Sequence, residues 1–157
     1  EELQKQEIRL TTIGAIDRLN PSVKEKLLRV KEITSRNDKM VLNLALSYGS
    51  QDEIILAVKH IVEDCRAGRM NMDELSKEKF GDYLYTSGMP DPDLMIRTSG
   101  ECRISNFLLW QMAYTELYFT KVLWPDFTKD DLYRAIASYQ KRERRFGLTS
   151  EQLKEKM

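Results

Sequence analysis

Arg97 and Arg103 share one short stretch, "RTSGECRISNF" (residues 97–107), set between the apolar runs "LMI" and "FLLW". Two guanidinium groups so close in sequence offer planar forks of donors suited to phosphate oxygens. Ser105 can add a hydroxyl, and Gly100 lets the chain turn sharply. If the stretch is strand, tight loop and helix, Ser105 caps a helix over residues 105–114. The free N–H groups of that helix would then point at the same anion. The plainer alternative is that both arginines pair with Glu101, Asp91 or Asp93. The stretch matches neither the Gly-rich phosphate loop nor the dinucleotide fingerprint. Downstream, "YTELYF" carries Glu116 and "WPDF" carries Asp126. A carboxylate near a polyphosphate site is a candidate for holding Mg²⁺. On the residues alone, pairing of Glu116 with Arg97 or Arg103, and a turn role for Asp126, weigh more.

The elements that must position these groups alternate. "IRLTTIG" (8–14) is β-branched and ends in glycine, which predicts a strand. Asn20 and Pro21 open a helix with Val23, Leu27, Val30 and Ile33 as its buried stripe. "MVLNLALSYG" (40–49) is almost continuously apolar, as in a parallel strand covered on both faces. Ser50 and Glu53 have capping-box spacing for a helix with Ile54, Val58, Ile61, Val62 and Cys65 on one face, ending at Gly68. Short helices over 73–86 precede the rigid "GMPDPD" loop. "LMIRT" and "ELYFT" are two more strands. Thr128 caps a last helix lined by Leu132, Ala135, Ile136, Tyr139 and Phe146 and ended by Gly147. The pattern predicts an α/β domain, a mostly parallel sheet flanked by helices. In such sheets ligands bind beyond the carboxyl ends of strands, where "YGSQ" and "RTSGECR" lie.

The 157 residues are enough for one core, and 25 Lys plus Arg balance 25 Asp plus Glu. That balance argues against a nucleic-acid coat, so no nucleic-acid partner is expected, and anion chemistry must come from local placement of charge. Cys65 and Cys102 show neither metal nor disulfide spacing, which suits a reducing, cytoplasmic compartment. The lone His60 lies mid-helix among charged residues and reads as solvated or packed. No apolar run approaches the length of a membrane span, and "EELQKQEIRL" has no signal-peptide pattern.

The run "PDPDLMIRTSGECRISNFLLWQMAYTELYFTKVLWPDFTKDDLYRAIASYQKRERRFG" resembles the C-terminal signature of the cis-prenyltransferase family, above all its bacterial undecaprenyl diphosphate synthase branch. "LNLALSYGSQDEI" is similar to that family's middle segment. The resemblance covers about Ile8 to Gly147. It implies a single undecaprenyl diphosphate synthase-like domain over 1–147, followed by a polar tail over 148–157. It implies repeated addition of isopentenyl diphosphate to an allylic diphosphate such as farnesyl diphosphate, with each new double bond cis and Mg²⁺ assisting departure of the allylic diphosphate. Arg97, Arg103 and Ser105 would hold the diphosphate of isopentenyl diphosphate, and Glu116 would help bind Mg²⁺. The product would be a long-chain polyprenyl diphosphate such as the lipid carrier of cell-wall synthesis. A homodimer is implied, with "QKRERRFG" near the contact. So is a cytoplasmic enzyme with peripheral membrane contact through its lipid product.

This sequence departs from the family's pattern in two ways. Cys102 stands where some members have a histidine near the metal, and a neutral thiol is a poor Mg²⁺ ligand. The family's opening Asp-Gly-Asn-Gly-Arg segment, whose aspartate is central to catalysis, does not occur here, nor does its Ser-Thr-Glu-Asn-Trp segment. The resemblance therefore implies that the N-terminal part of the fold is missing from this chain, that its catalytic aspartate lies upstream, and that the chain alone is inactive. Two other readings stay open: a non-catalytic partner subunit of a prenyltransferase complex, and a phosphate-ligand module of different chemistry. Partner subunits tend to lose the RTSGExRxSNF pattern, which is intact here.

Overall fold

Ile8–Ile13 (β1) and Met40–Ala45 (β2) form a parallel pair, in register from Ile8 opposite Met40 to Ile13 opposite Ala45. In the computed structural model, residues 1–144 and 151–152 are described. They divide into two compact units, Glu1–Pro90 and a second beginning at Asp91. The protein is α/β: each unit holds one two-stranded parallel pair with helices, and no strand of one pair joins the other.

In the first unit a short helix, Glu2–Lys5 (α1), precedes β1, and Pro21–Ile33 (α2) crosses from β1 to β2. Asn20 caps α2 as expected, its side chain accepting from the Ser22 N–H at 3.0 Å. The predicted apolar stripe is only half covered, however: Val23 and Ile33 are exposed. β2 is likewise not covered on both faces: Met40 and Val41 are exposed. Polar groups finish the edge of β1. Buried Thr34 accepts the Leu10 N–H at 3.0 Å, and buried Asn37 donates to the Ile8 carbonyl at 2.9 Å.

Ser50–Arg66 (α3) follows, but Gly49 rather than Ser50 is its N-cap. The capping box is not formed. Ser50 and Glu53 are the first two members of the buried line Ser50, Glu53, Ala57, Ile61, so their side chains face inward. That line is displaced from the predicted face, leaving Val58 exposed. Gly68 follows the helix at φ +69°, a left-handed stop. Lys77–Gly81 (α4) completes the unit, capped by the Ser76 side chain. Leu10, Ile13, Ala57, Ile61, Met70 and Leu84 are its buried apolar residues. Below them Asp64 accepts from the Tyr83 hydroxyl at 2.8 Å and from Arg69, joining the end of α3 to the segment after α4.

In the second unit Leu94–Arg97 (β3) pairs in parallel with Glu116–Phe119 (β4), Leu94 opposite Glu116 and Arg97 opposite Phe119. Lys129–Gln140 (α5) follows, with Asp131 at its start accepting from both the N–H (2.9 Å) and the hydroxyl (2.7 Å) of Thr128. Ala135 is buried, whereas Leu132 and Ile136 are partly exposed. The helix is shorter than expected: it ends at Gln140 with Lys141 as its C-cap, and the residues expected to finish it, Phe146 and Gly147, lie outside the described residues. The helix predicted over 105–114 is replaced by consecutive turns. Ser105, Asn106 and Leu108 have φ of +48°, +61° and +46°, and left-handed residues cannot start a right-handed helix. Ser105 is therefore not an N-cap, and the helix start expected behind the arginine loop is not formed.

Candidate functional site

The arginine loop is built on the end of β3. Backbone bonds carry the β3–β4 ladder past the strands: Thr120 N–H to Arg97 O (2.9 Å), Gly100 N–H to Thr120 O (2.8 Å) and Ser99 N–H to Val122 O (2.8 Å). Gly100 (φ +70°) and Ser99 (φ +67°) make the reversal. Within it Arg97 Nη1 donates to the Arg103 carbonyl and, at 3.0 Å, to Ser105 Oγ. Arg103 turns its guanidinium onto Glu101. Arg97 is thus brought to Ser105 and to the backbone of Arg103, while the Arg103 guanidinium is held by Glu101. Arg97 works partly on the loop itself, holding its carbonyl and its serine, while Arg103 and Ser105 face out.

The expected pairing of Arg103 with Glu101 is present. Both side chains are largely exposed, and such a surface pair contributes little, roughly 0–1 kcal/mol. A dianionic phosphate can displace it. Beside the cluster lies a cavity of about 280 Å³, lined by Met95, Ile96, Ile104 and Phe107 together with Arg97 and Ser105. The arrangement places a guanidinium and a hydroxyl in the wall of an apolar recess, suited to a small molecule with an anionic head and a short hydrocarbon tail.

Glu116 is not part of this cluster. The register sets it opposite Leu94, three residues before the position opposite Arg97, about 10 Å along the strand. Its Oε2 accepts from Arg142 Nη1 at 2.7 Å. Two residues on, Arg144 pairs with Asp93 at 2.6 Å, donates to the Tyr139 hydroxyl at 3.0 Å and lies over the Tyr139 ring. The segment leaving α5 is thus tied twice to the starts of β3 and β4. Asp126 lies in the short turn Trp124–Asp126, and Cys102 is exposed. Among the described residues no group of three His, Cys, Asp or Glu could hold a metal ion. Mg²⁺ is commonly bound by one or two carboxylates with substrate phosphates completing its shell, so Glu116 fits only a site shared with a phosphate ligand.

The other loop singled out, "YGSQ", borders a cavity of about 230 Å³ lined by Gly14, Arg18, Ser47, Asp52, Lys59 and Tyr85 among others. It is shaped by Glu53, almost wholly buried, whose carboxylate accepts from the Tyr48 hydroxyl (2.5 Å) and the Tyr85 N–H (2.8 Å). Sequence reasoning missed Arg142 as a partner of Glu116 and Glu53 as an anchor. The only hint of Arg142 was its place in the basic run "QKRERRFG".

Residues 1–147 match the family model described as putative undecaprenyl diphosphate synthase. An isoprenyl transferase of Geobacter sulfurreducens is 54% identical over 146 residues, which are 93% of this chain and 59% of that protein. The tritrans,polycis-undecaprenyl-diphosphate synthase (geranylgeranyl-diphosphate specific) of Thermoplasma volcanium is 49% identical over 147 residues, 94% of this chain and 57% of its own. Among solved structures, lavandulyl diphosphate synthase from Lavandula x intermedia in complex with dimethylallyl diphosphate aligns with a TM-score of 0.90 at 37% identity, covering 93% of this chain and 64% of that one. The chain therefore spans somewhat under three fifths of the curated relatives it matches. Among the described residues no helix is long and apolar enough to cross a membrane.

Proposed function

Since the chain belongs to the undecaprenyl diphosphate synthase family, we propose that the complete protein condenses isopentenyl diphosphate with an allylic diphosphate to make a long-chain polyprenyl diphosphate. The observation that carries this reading is the apolar recess walled by Arg97 and Ser105, with Arg103 in the same loop. Arg103 and Ser105 take the diphosphate of isopentenyl diphosphate. Arg97 keeps the loop in shape and contributes a second guanidinium. Met95, Ile96, Ile104 and Phe107 shelter the five-carbon tail, leaving its reactive end for the allylic carbon.

The reaction needs two diphosphates, and the distance of Glu116 from the arginine loop suits a second, separate phosphate. There Mg²⁺, held by Glu116 and the allylic diphosphate, would neutralise charge on the departing group. Residues 1–157 supply one carboxylate to that cation and are proposed to be inactive alone. A homodimer, a cytoplasmic location and service to cell-wall synthesis accompany this proposal as expectations from the family resemblance.

Relatives differ in the primer their names state, so the test uses three. The complete protein is assayed for incorporation of labelled isopentenyl diphosphate onto dimethylallyl, farnesyl or geranylgeranyl diphosphate, with and without the Arg103→Ala change. A hydrogen bond to a charged group contributes about 1.5–3 kcal/mol, so KM for isopentenyl diphosphate should rise about tenfold or more. Farnesyl diphosphate is the primer expected to work best. An unchanged KM with a lowered Tm would make Arg103 structural, and no elongation from any primer would refute the activity.

A further inference from the structure

Arg142 already occupies the carboxylate assigned to the cation. Its Nη1 lies 2.7 Å from Glu116 Oε2, and the two side chains are only 30% and 26% exposed. A largely covered guanidinium at that distance cancels most of the charge that would draw a hard cation. The pair does not depend on Arg142 alone to stay in place. Arg144 fastens the same segment to Asp93 and to Tyr139, so Arg142 can leave Glu116 without the segment detaching.

Resting on the reading of Glu116 as a metal ligand, we propose that Arg142 makes cation binding conditional on a diphosphate. With no phosphate present, Arg142 neutralises Glu116 and the cation is not retained. An arriving diphosphate is a better partner for a guanidinium than a single carboxylate is. It draws Arg142 away and brings its own negative oxygens to complete the metal shell. Charge is conserved in the exchange: Arg142 moves from carboxylate to phosphate, and the metal takes the carboxylate. Arg142 is thus a positioning residue that sets the order of binding. Metal and diphosphate then strengthen each other's binding by the same factor.

The test is equilibrium dialysis of Mn²⁺, standing in for Mg²⁺, against the complete protein, with and without inorganic pyrophosphate on both sides. The wild type should retain Mn²⁺ only with pyrophosphate. Arg142→Gln should raise retention of Mn²⁺ alone by about fivefold or more, the scale on which coupled sites act. Arg142→Lys, which keeps the charge, should behave like the wild type, and adding Glu116→Gln to Arg142→Gln should abolish the gain. If Arg142→Gln folds but gains nothing while Glu116→Gln lowers pyrophosphate-dependent retention, the conditional role is overturned and the metal role of Glu116 stands. If Glu116→Gln leaves pyrophosphate-dependent retention unchanged, the metal role itself is wrong. An equal gain from Arg144→Gln would also overturn the proposal, because loosening the segment would then suffice.

Discussion

Replacing Gly14 with alanine should destabilise the protein far more than the same change at Gly88. Both glycines have left-handed backbones, φ +95° and +76°. That conformation costs an L-residue about 1–2 kcal/mol at either position. The surroundings differ. A Cβ on Gly14 would sit 2.3 Å from the Leu46 carbonyl oxygen and 2.9 Å from Tyr48 Cβ, whereas one on Gly88 meets nothing within 4 Å. The neighbour at Gly14 is backbone of the segment following β2, which cannot swing aside as a side-chain tip does. Forcing extra atoms into a packed site adds about 1–3 kcal/mol. The totals are about 2–5 kcal/mol for Gly14→Ala and about 1–2 for Gly88→Ala. With a urea slope of about 1–3 kcal/mol/M, the midpoint should fall by roughly 1–3 M in the first and by about 1 M or less in the second. The assay is urea unfolding of the complete protein, followed by far-UV circular dichroism. Equal midpoints within about 0.3 M would refute the argument that the β1–β2 ends are held by this close approach.

Glu53→Ala removes the acceptor of two hydrogen bonds to a buried carboxylate, each worth about 1.5–3 kcal/mol, and should cost about 3 kcal/mol or more in the same assay. A change below about 1 kcal/mol would show that the loop at Tyr85 holds without it. Acid should also destabilise the fold. The Tyr83 hydroxyl, then Arg69, holds Asp64 below the usual carboxylate range, and the Thr128 hydroxyl, then its N–H, does so for Asp131. A depressed folded-state pKa gives stability that is full above the unfolded value of about 3.9 and lost as pH falls through the folded one. Urea midpoints should therefore be steady near neutrality and drop in the acid range, with a shallower acid slope in Asp64→Asn; an identical slope would remove Asp64 from the account. Residues 1–157 expressed alone should not incorporate isopentenyl diphosphate, and sustained Mg²⁺-dependent product would show that these residues hold the whole site.

The parts of the fold that were legible in sequence are those set by neighbours along the chain. Asn20 before Pro21 fixes the start of α2, the β-branched run marks β1, and the nearly continuous apolar run marks β2 as a parallel strand. Thr128 three residues before Asp131 marks the start of α5. What failed was burial and conformation imposed from a distance. Nothing in "SNFLLWQ" announces left-handed backbone at Leu108, because leucine has no local reason to adopt it. Ser50 reads as a cap until the fold turns it inward beside Glu53. At the candidate site the loop residues were visible by type, since two arginines and a serine sit within nine positions. The distant partners of Glu53 and Glu116 were not, because Tyr85 and Arg142 lie 32 and 26 residues away.

The way Arg97 holds its own loop has a consequence for the timing of recognition. The guanidinium already grips the Arg103 carbonyl and the Ser105 hydroxyl, and the Ser99 and Gly100 amides are already bonded to the strand exit beyond Phe119. The conformational entropy of this loop is lost when the chain folds, not when a ligand arrives. Those two amides should exchange with solvent slowly even in the empty protein, with little further protection on saturation. Encounter then needs no loop closure. Selectivity at this end of the sheet resides in how long a phosphate stays rather than in how readily the loop forms around it.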